Sequence, residues 1–242
     1  MRLATLRLSI PLNFPKSHRI NNLVTSRTPS QVCPLCQATD AVPIHADLSR
    51  EYWQCIVCSL IFVPARFFIP HDKELARYNL HKNSADQSAY CRYLNTFAEE
   101  LNRIPLLRPS VLDFGSGPNA VLTELLNKRG HVCTAYDPLY KIGNDAFKQT
   151  YDVVLICEVI EHLHSLNDEL LRIKSVLNPV GYIIVRTALF KGAVAEFGTW
   201  FYKNDSTHIR FFSDKAFGAL AKQFLWQIVY CNNPVVILHD AR

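Results

Sequence analysis

The stretch Val111–Ala120, VLDFGSGPNA, decides the fold. "VLDF" reads as a short buried strand, Gly115 and Gly117 as a tight turn, and residues 119–129 as a helix ending at Gly130. A glycine turn between a first strand and a helix lets backbone N–H groups come close to a ligand. Gly115-x-Gly117-x-x-Ala120 formally fits the dinucleotide fingerprint. Asp137 lies 20 residues past Gly117, where an acid can hold ribose hydroxyls.

Two neighbours turn the reading away from a dinucleotide. Pro118 removes an N–H near the helix start, where a pyrophosphate needs donors. Asp113 sets a carboxylate beside the turn, which opposes a pyrophosphate but suits an ammonium and a sulfonium. S-adenosylmethionine carries both and has no phosphate.

The rest of the chain supplies the sheet. "HVCTAYD" reads as a second strand, and "YDVVLICEV" is a continuous apolar run typical of a strand buried on both faces. A helix at 167–177, the strand "GYIIVRT" and the helix "SDKAFGALAKQF", with Ser213 as N-cap, follow. "LWQIVYC" and "PVVILHD", joined at "NNP", predict an antiparallel hairpin at the sheet edge. The alternation before it predicts an α/β, doubly wound parallel sheet.

With "VLDFGSGPN", "AYDP", "YDVVLICEVIEHL" and "VLNPVGYIIV" in this order, residues 109–242 resemble class I S-adenosylmethionine-dependent methyltransferases. The resemblance implies a Rossmann-like methyltransferase sheet with S-adenosylmethionine as methyl donor. It places Asp113, Gly115 and Gly117 at the methionine end and Asp137 at the ribose. There are departures. Only 13 residues separate Asp137 from Tyr151, so the third strand is short or missing and no adenine-contacting acid is evident there. Val180 stands where the resembled family commonly has a glycine.

"CPLC" (Cys33, Cys36) and "CIVC" (Cys55, Cys58) have 18 residues between the pairs, a spacing that can set four thiolates around zinc. Four thiolates leave no open coordination position, so such a zinc is structural; rubredoxin-like iron is the alternative. An N-terminal zinc ribbon before a methyltransferase domain is similar to some bacterial methyltransferases of unassigned substrate and to certain sugar C-methyltransferases. Residues 71–104 space their apolar side chains helically and end at Pro105 and Pro109. Within them "ARYNLHKNSADQSAYCRYL" resembles the linker of the unassigned group, with Tyr78, His81 and Asn83 either covering the active-site mouth or forming ordinary helix surface. The expected organisation is a basic tail (1–30), a zinc ribbon (31–66), a helical linker (67–108) and the catalytic domain (109–242).

"CEVIEHLH" begins at the carboxyl end of a strand, the edge where open α/β sheets bind ligands. If residues 158–162 start a helix, Glu158, Glu161 and His162 share one face. Later, "WFYKNDSTHIRFFS" supplies Trp200, Tyr202, Lys203, Asp205 and His208, in a region that contacts the acceptor in the resembled enzymes. Three readings stay open: a structural sheet edge around a donor-bordering Glu158; His162 or His208 as general base; or a divalent metal on Glu158, Glu161, His162 and His208, a set resembling that of small-RNA 2′-O-methyltransferases. Tyr78, Trp200 and Tyr202 line an acceptor pocket or belong to the core.

The net charge of +5 misleads: Arg2, Arg7, Lys16, Arg19 and Arg27 precede the first acid, which leaves 26 − 5 = 21 basic against 21 acidic residues in the body. A broad basic face for nucleic acid is therefore not supported, although a local patch stays open. The first thirty residues have too short an apolar run for a secretory signal; a disordered tail or a transit-like peptide fits. No apolar run reaches the roughly 18 residues of a membrane span. Eight cysteines in this arrangement suit a reducing cytoplasm better than a disulfide scaffold. The expectation is a cytoplasmic methyltransferase acting on a small-molecule or sugar-like acceptor. A metal-assisted RNA O-methyltransferase, an NAD-dependent oxidoreductase and a non-catalytic S-adenosylmethionine-binding module are the alternatives.

Overall fold

The computed structural model describes residues 30–80 and 88–242. Its main sheet contains β4 (Ser110–Phe114), β5 (Val132–Tyr136), β6 (Tyr151–Cys157), β7 (Leu177–Arg186), β9 (Gln227–Asn232) and β10 (Val235–His239), in the order β5-β4-β6-β7-β10-β9. The first four strands are parallel, and β10 joins β7 antiparallel with β9 outside it. This is the parallel sheet with a C-terminal antiparallel hairpin that the sequence predicts. Between β5 and β6 the described chain forms only a bridge between Asp137 and Ile142 and a 3-10 turn at Ala146–Lys148. Thirteen residues are too few for a crossover and another parallel strand, which needs a dozen or more for the connection alone.

Alternation along each strand divides the core. Leu112, Phe114, Val154, Ile156, Ile183, Val185, Val236 and Leu238 face α4 (Leu166–Val176) and α5 (Asp214–Phe224). Their neighbours Val111, Val153, Leu155, Ile184 and Ile237 face α2 (Ser88–Ala98) and α3 (Val121–Lys128). Both faces are covered, which is why "YDVVLICEV" carries no polar stripe. The helix after the glycine turn starts at Val121, later than the pattern suggests, because Ala120 has φ 44°. Ser213 caps α5 by accepting from the Ala216 N–H.

The N-terminal strands β1 (Ala41–Ala46), β2 (Glu51–Cys55) and β3 (Ile61–Phe62) form an antiparallel sheet, and its fourth member is β8 (Arg210–Phe211) from the catalytic region. Leu35, Trp53, Leu60 and Phe62 share one core with Phe212, Phe217 and Leu220. A separate aromatic cluster joins Tyr52, Phe197, Tyr202 and Phe211. The linker resolves into α1 (His71–Asn79), α2 and a 3-10 turn at Glu99–Arg103. His81 and Asn83 lie outside the described residues. No described helix is long and apolar enough to cross a membrane.

Candidate active site

One cavity of about 1120 Å³ runs along the carboxyl ends of β4, β5 and β6. Asp113, Gly115, Gly117, Asp137 and Glu158 line one part, and Tyr78, His162, Tyr202, Asp205 and His208 another. Trp200 is not in this wall; it packs in the aromatic cluster beside Phe190 and Phe197. Lys203 is buried 3.9 Å from Asp47, also away from the wall.

The glycine turn is built for close approach. Gly115 has φ 81°, and a Cβ there would lie 2.4 Å from Val159 Cγ2. Gly117 has φ 70° and nothing near its missing Cβ. Asp137 holds the turn, its carboxylate accepting from the N–H groups of Gly117 (2.9 Å), Leu139 (3.0 Å) and Tyr140 (3.3 Å). A carboxylate offers about four acceptor positions, so one remains open beside the cavity. Asp113 is buried and accepts from the Thr123 hydroxyl at 2.8 Å. Burial pushes its carboxyl up to about 6.

After β6, residues 158–162 do not form the helix that would align Glu158, Glu161 and His162. Glu158 is left-handed at φ 54°, and a 3-10 turn spans Ile160–His162. The two acids nevertheless meet through Tyr202, whose hydroxyl is 2.8 Å from Glu158 Oε2 and also bonds Glu161 Oε1. Tyr93 donates to Glu158 at 2.7 Å, and Arg186 donates to Tyr93 at 2.9 Å. Glu161 is fully buried, and burial followed by the Glu158 charge pushes its carboxyl well above the ordinary range. A tyrosine hydroxyl has one proton. With Glu161 protonated, its own O–H serves Tyr202, and the tyrosine proton serves Glu158.

The two histidines meet with ring centroids 4.7 Å apart. His162 Nδ1 lies 3.0 Å from the Thr207 carbonyl, and His208 Nδ1 lies 2.7 Å from the Tyr202 carbonyl. A carbonyl only accepts, so each ring carries its proton on Nδ1 and Nε2 is the basic nitrogen. Burial lowers the His208 pKa, keeping the ring neutral near pH 7. One ring nitrogen from each histidine and one Glu161 oxygen lie within 4.8 Å of one another; Glu158 is outside that set.

The cysteine quartet lies outside the cavity. Cys33 and Cys58 sulfurs are 3.5 Å apart, as are those of Cys36 and Cys55, and all four lie within 4.8 Å. Zn–S bonds of about 2.3 Å in a tetrahedron require sulfurs about 3.8 Å apart, so the set fits the ion. The two turns repeat one geometry. Gln37 N–H donates to Cys33 O and Ser59 N–H to Cys55 O, with Gln37 and Ser59 both left-handed. Donation from Cys58 brings the Cys33 thiol down to about 5, favouring the thiolate that a metal needs.

Sequence reasoning overlooked Thr123, Tyr93 and Arg50. Thr123 sits at the third position of a short helix and Tyr93 on the linker, so neither has a local pattern that points to the site. Arg50 reaches it only through tertiary packing.

A family model described as a methyltransferase domain matches residues 82–230. The fold is shared with the 1,6-didemethyltoxoflavin-N1-methyltransferase of Burkholderia thailandensis, solved with 1,6-didemethyltoxoflavin and S-adenosylhomocysteine bound. That likeness has 17% identity, 83% coverage of this chain, 99% of that one and a TM-score of 0.50. An O-methyltransferase family protein from the same organism shares it at 13% identity, with 69% and 62% coverage and a TM-score of 0.51. No curated protein matches the sequence. The chain belongs to the methyltransferase-domain family: it is a class I, S-adenosylmethionine-dependent methyltransferase. Family membership sets aside the oxidoreductase alternative.

Proposed function

We propose that the chain methylates a small-molecule acceptor seated between Tyr78, Tyr202, His162 and His208. The carrying observation is the continuity of the cavity from the Gly115–Gly117 turn to the two histidines. In this reading Asp113 faces the donor's ammonium and Asp137 its ribose, while Gly115 and Gly117 admit the donor close to the backbone. Glu158, fixed by Tyr93 and Tyr202, borders the methyl group. The donor supplies an electrophilic methyl on a sulfonium. The acceptor atom forms a bond to that carbon as the C–S bond breaks, and its electron pair stays on sulfur.

The protein's contribution is chiefly alignment and exclusion of water. Where the acceptor is a hydroxyl or other weak acid, His208 Nε2 takes its proton, with His162 beside it. The formally neutral body favours a small acceptor over RNA. The test is methyl-labelled donor incubated with separate small-molecule, RNA and protein fractions. Label in the small-molecule fraction is expected; label confined to RNA or protein overturns the reading. The cysteine quartet, in the same proposal, holds one structural zinc.

A second reading rests on the cluster of Glu161, His162 and His208. Both imidazoles are oriented through Nδ1 by backbone carbonyls, the arrangement that fixes metal-binding histidines. A divalent cation there would displace the Glu161 proton and polarise an acceptor hydroxyl. Metal analysis decides it: a second equivalent per chain, lost in His162→Ala while the cysteine-bound zinc stays, supports the cation, and a single equivalent in both proteins excludes it.

A further inference from the structure

Arg50 belongs to the N-terminal module, in the turn before β2, yet its side chain is spent on the acceptor loop. A guanidinium has five N–H donors in a planar fork. Here Nε donates to the Tyr52 hydroxyl (2.8 Å), Nη1 to the carbonyls of Ser206 (2.9 Å) and His208 (3.0 Å), and Nη2 to those of Lys203 (2.5 Å) and Asp205 (2.7 Å). All five donors are used, and Arg50 is 6% exposed. Four carbonyls within six consecutive residues therefore converge on one side chain from another module.

The clamped segment is the one that carries Asp205, Thr207 and His208 into the cavity wall. It also fixes the histidine. The His208 ring is held at Nδ1 by the Tyr202 carbonyl, and its own carbonyl is held by Arg50. His162 is oriented by the Thr207 carbonyl of the same segment. A buried cation costs several kcal/mol in desolvation unless well compensated, and here the compensation is mostly loop backbone. Tyr52 relays the charge to Asp47, whose Oδ2 accepts the tyrosine proton at 2.8 Å.

We propose that Arg50 is a positioning residue of this methyltransferase: it holds residues 203–208 so that His208 and His162 keep their Nδ1–H tautomers and present Nε2 to the acceptor. The N-terminal module is then part of the catalytic apparatus. This rests on the reading that the histidines face the acceptor. Lysine cannot replace Arg50, because three donors on one nitrogen cannot serve a hydroxyl and four carbonyls spread around a planar fork.

The test is histidine-ring NMR of the full chain, wild type against Arg50→Lys, with S-adenosylhomocysteine melts alongside. Wild-type His208 and His162 should each show a fixed Nδ1–H tautomer. In Arg50→Lys the tautomers should mix, while the ligand-induced thermal shift persists. A lowered melting temperature with both ring signatures unchanged would make Arg50 merely structural and overturn the proposal. Should Arg50→Lys fail to fold, Tyr52→Phe removes the Nε acceptor and the bond to Asp47 but leaves the four carbonyl bonds of Arg50 in place. It should mix the His208 tautomers in the same way but to a smaller extent, and a His208 tautomer that stays fixed overturns the proposal. Absence of any ligand shift in the wild type would instead sink the donor-site reading, without bearing on the ring signatures.

Discussion

Gly115 and Val159 touch across the carboxyl ends of two neighbouring strands, with no room for a β-carbon between them: one on Gly115 would sit 2.4 Å from Val159 Cγ2. Gly117, two residues on, has open space at the same place. Both are left-handed, at φ 81° and 70°, so either alanine is strained by about 1–2 kcal/mol. Gly115→Ala should lose considerably more, through the clash. Gly117→Ala should lose little beyond the strain but weaken S-adenosylhomocysteine binding, because its methyl group enters the cavity. Paired melts and titrations check this; equal destabilisation by the two variants would contradict it.

Asp113 should make ligand-free stability fall with pH. Its folded pKa of about 6 exceeds the ordinary value of 3.8, so the folded chain holds the proton more tightly. Stability therefore declines as pH rises from about 4 to 6 and stays at the lower level above that. Asp113→Asn removes this loss, of the order of 2–3 kcal/mol at pH 7, and should melt higher than wild type there. On the proposed reading, in which Asp113 faces the ligand's ammonium, the variant should also bind S-adenosylhomocysteine poorly. Melts between pH 4 and 8, with and without ligand, test both halves.

Tyr202→Phe removes the hydroxyl that Glu158 and Glu161 share. Glu161 is fully buried, so its remaining polar group loses a partner at a cost of about 1–3 kcal/mol. Denaturant unfolding at neutral pH should show that loss. An unchanged midpoint would mean that the two acids do not depend on this bridge.

The quartet should carry one zinc per chain by elemental analysis. Stripping it with a strong chelator should lower the melting temperature and disorder the four-stranded sheet. That disorder should reach His208, because Arg210 begins β8 two residues later. A metal-free chain that melts like the wild type would remove zinc from the fold.

The parallel sheet was legible because its strands are buried on both faces and read as apolar runs, and the glycine turn because left-handed backbone demands its residue type. The cysteine pairs were legible because two CxxC turns can bring four sulfurs together, and here they lie within 4.8 Å of one another. Residues 158–162 were not: "EVIEH" has helical spacing, but Glu158 at φ 54° breaks the helix before it starts, in favour of contacts with Tyr93 and Tyr202. Those partners come from 65 and 44 residues away, beyond the reach of any local pattern. The same holds for Arg50 and for β8, whose two residues are too few to register as a strand.

The pairing of Ile61 with Phe211 has a temporal consequence. Those residues are 211 − 61 = 150 apart, and a ribosome adding about 5–20 residues per second needs roughly 8–30 seconds to bridge them. Through that interval β3 waits with an open edge. A sheet begun early in synthesis is thus completed only late, and premature release of the nascent chain would leave a sticky strand exposed.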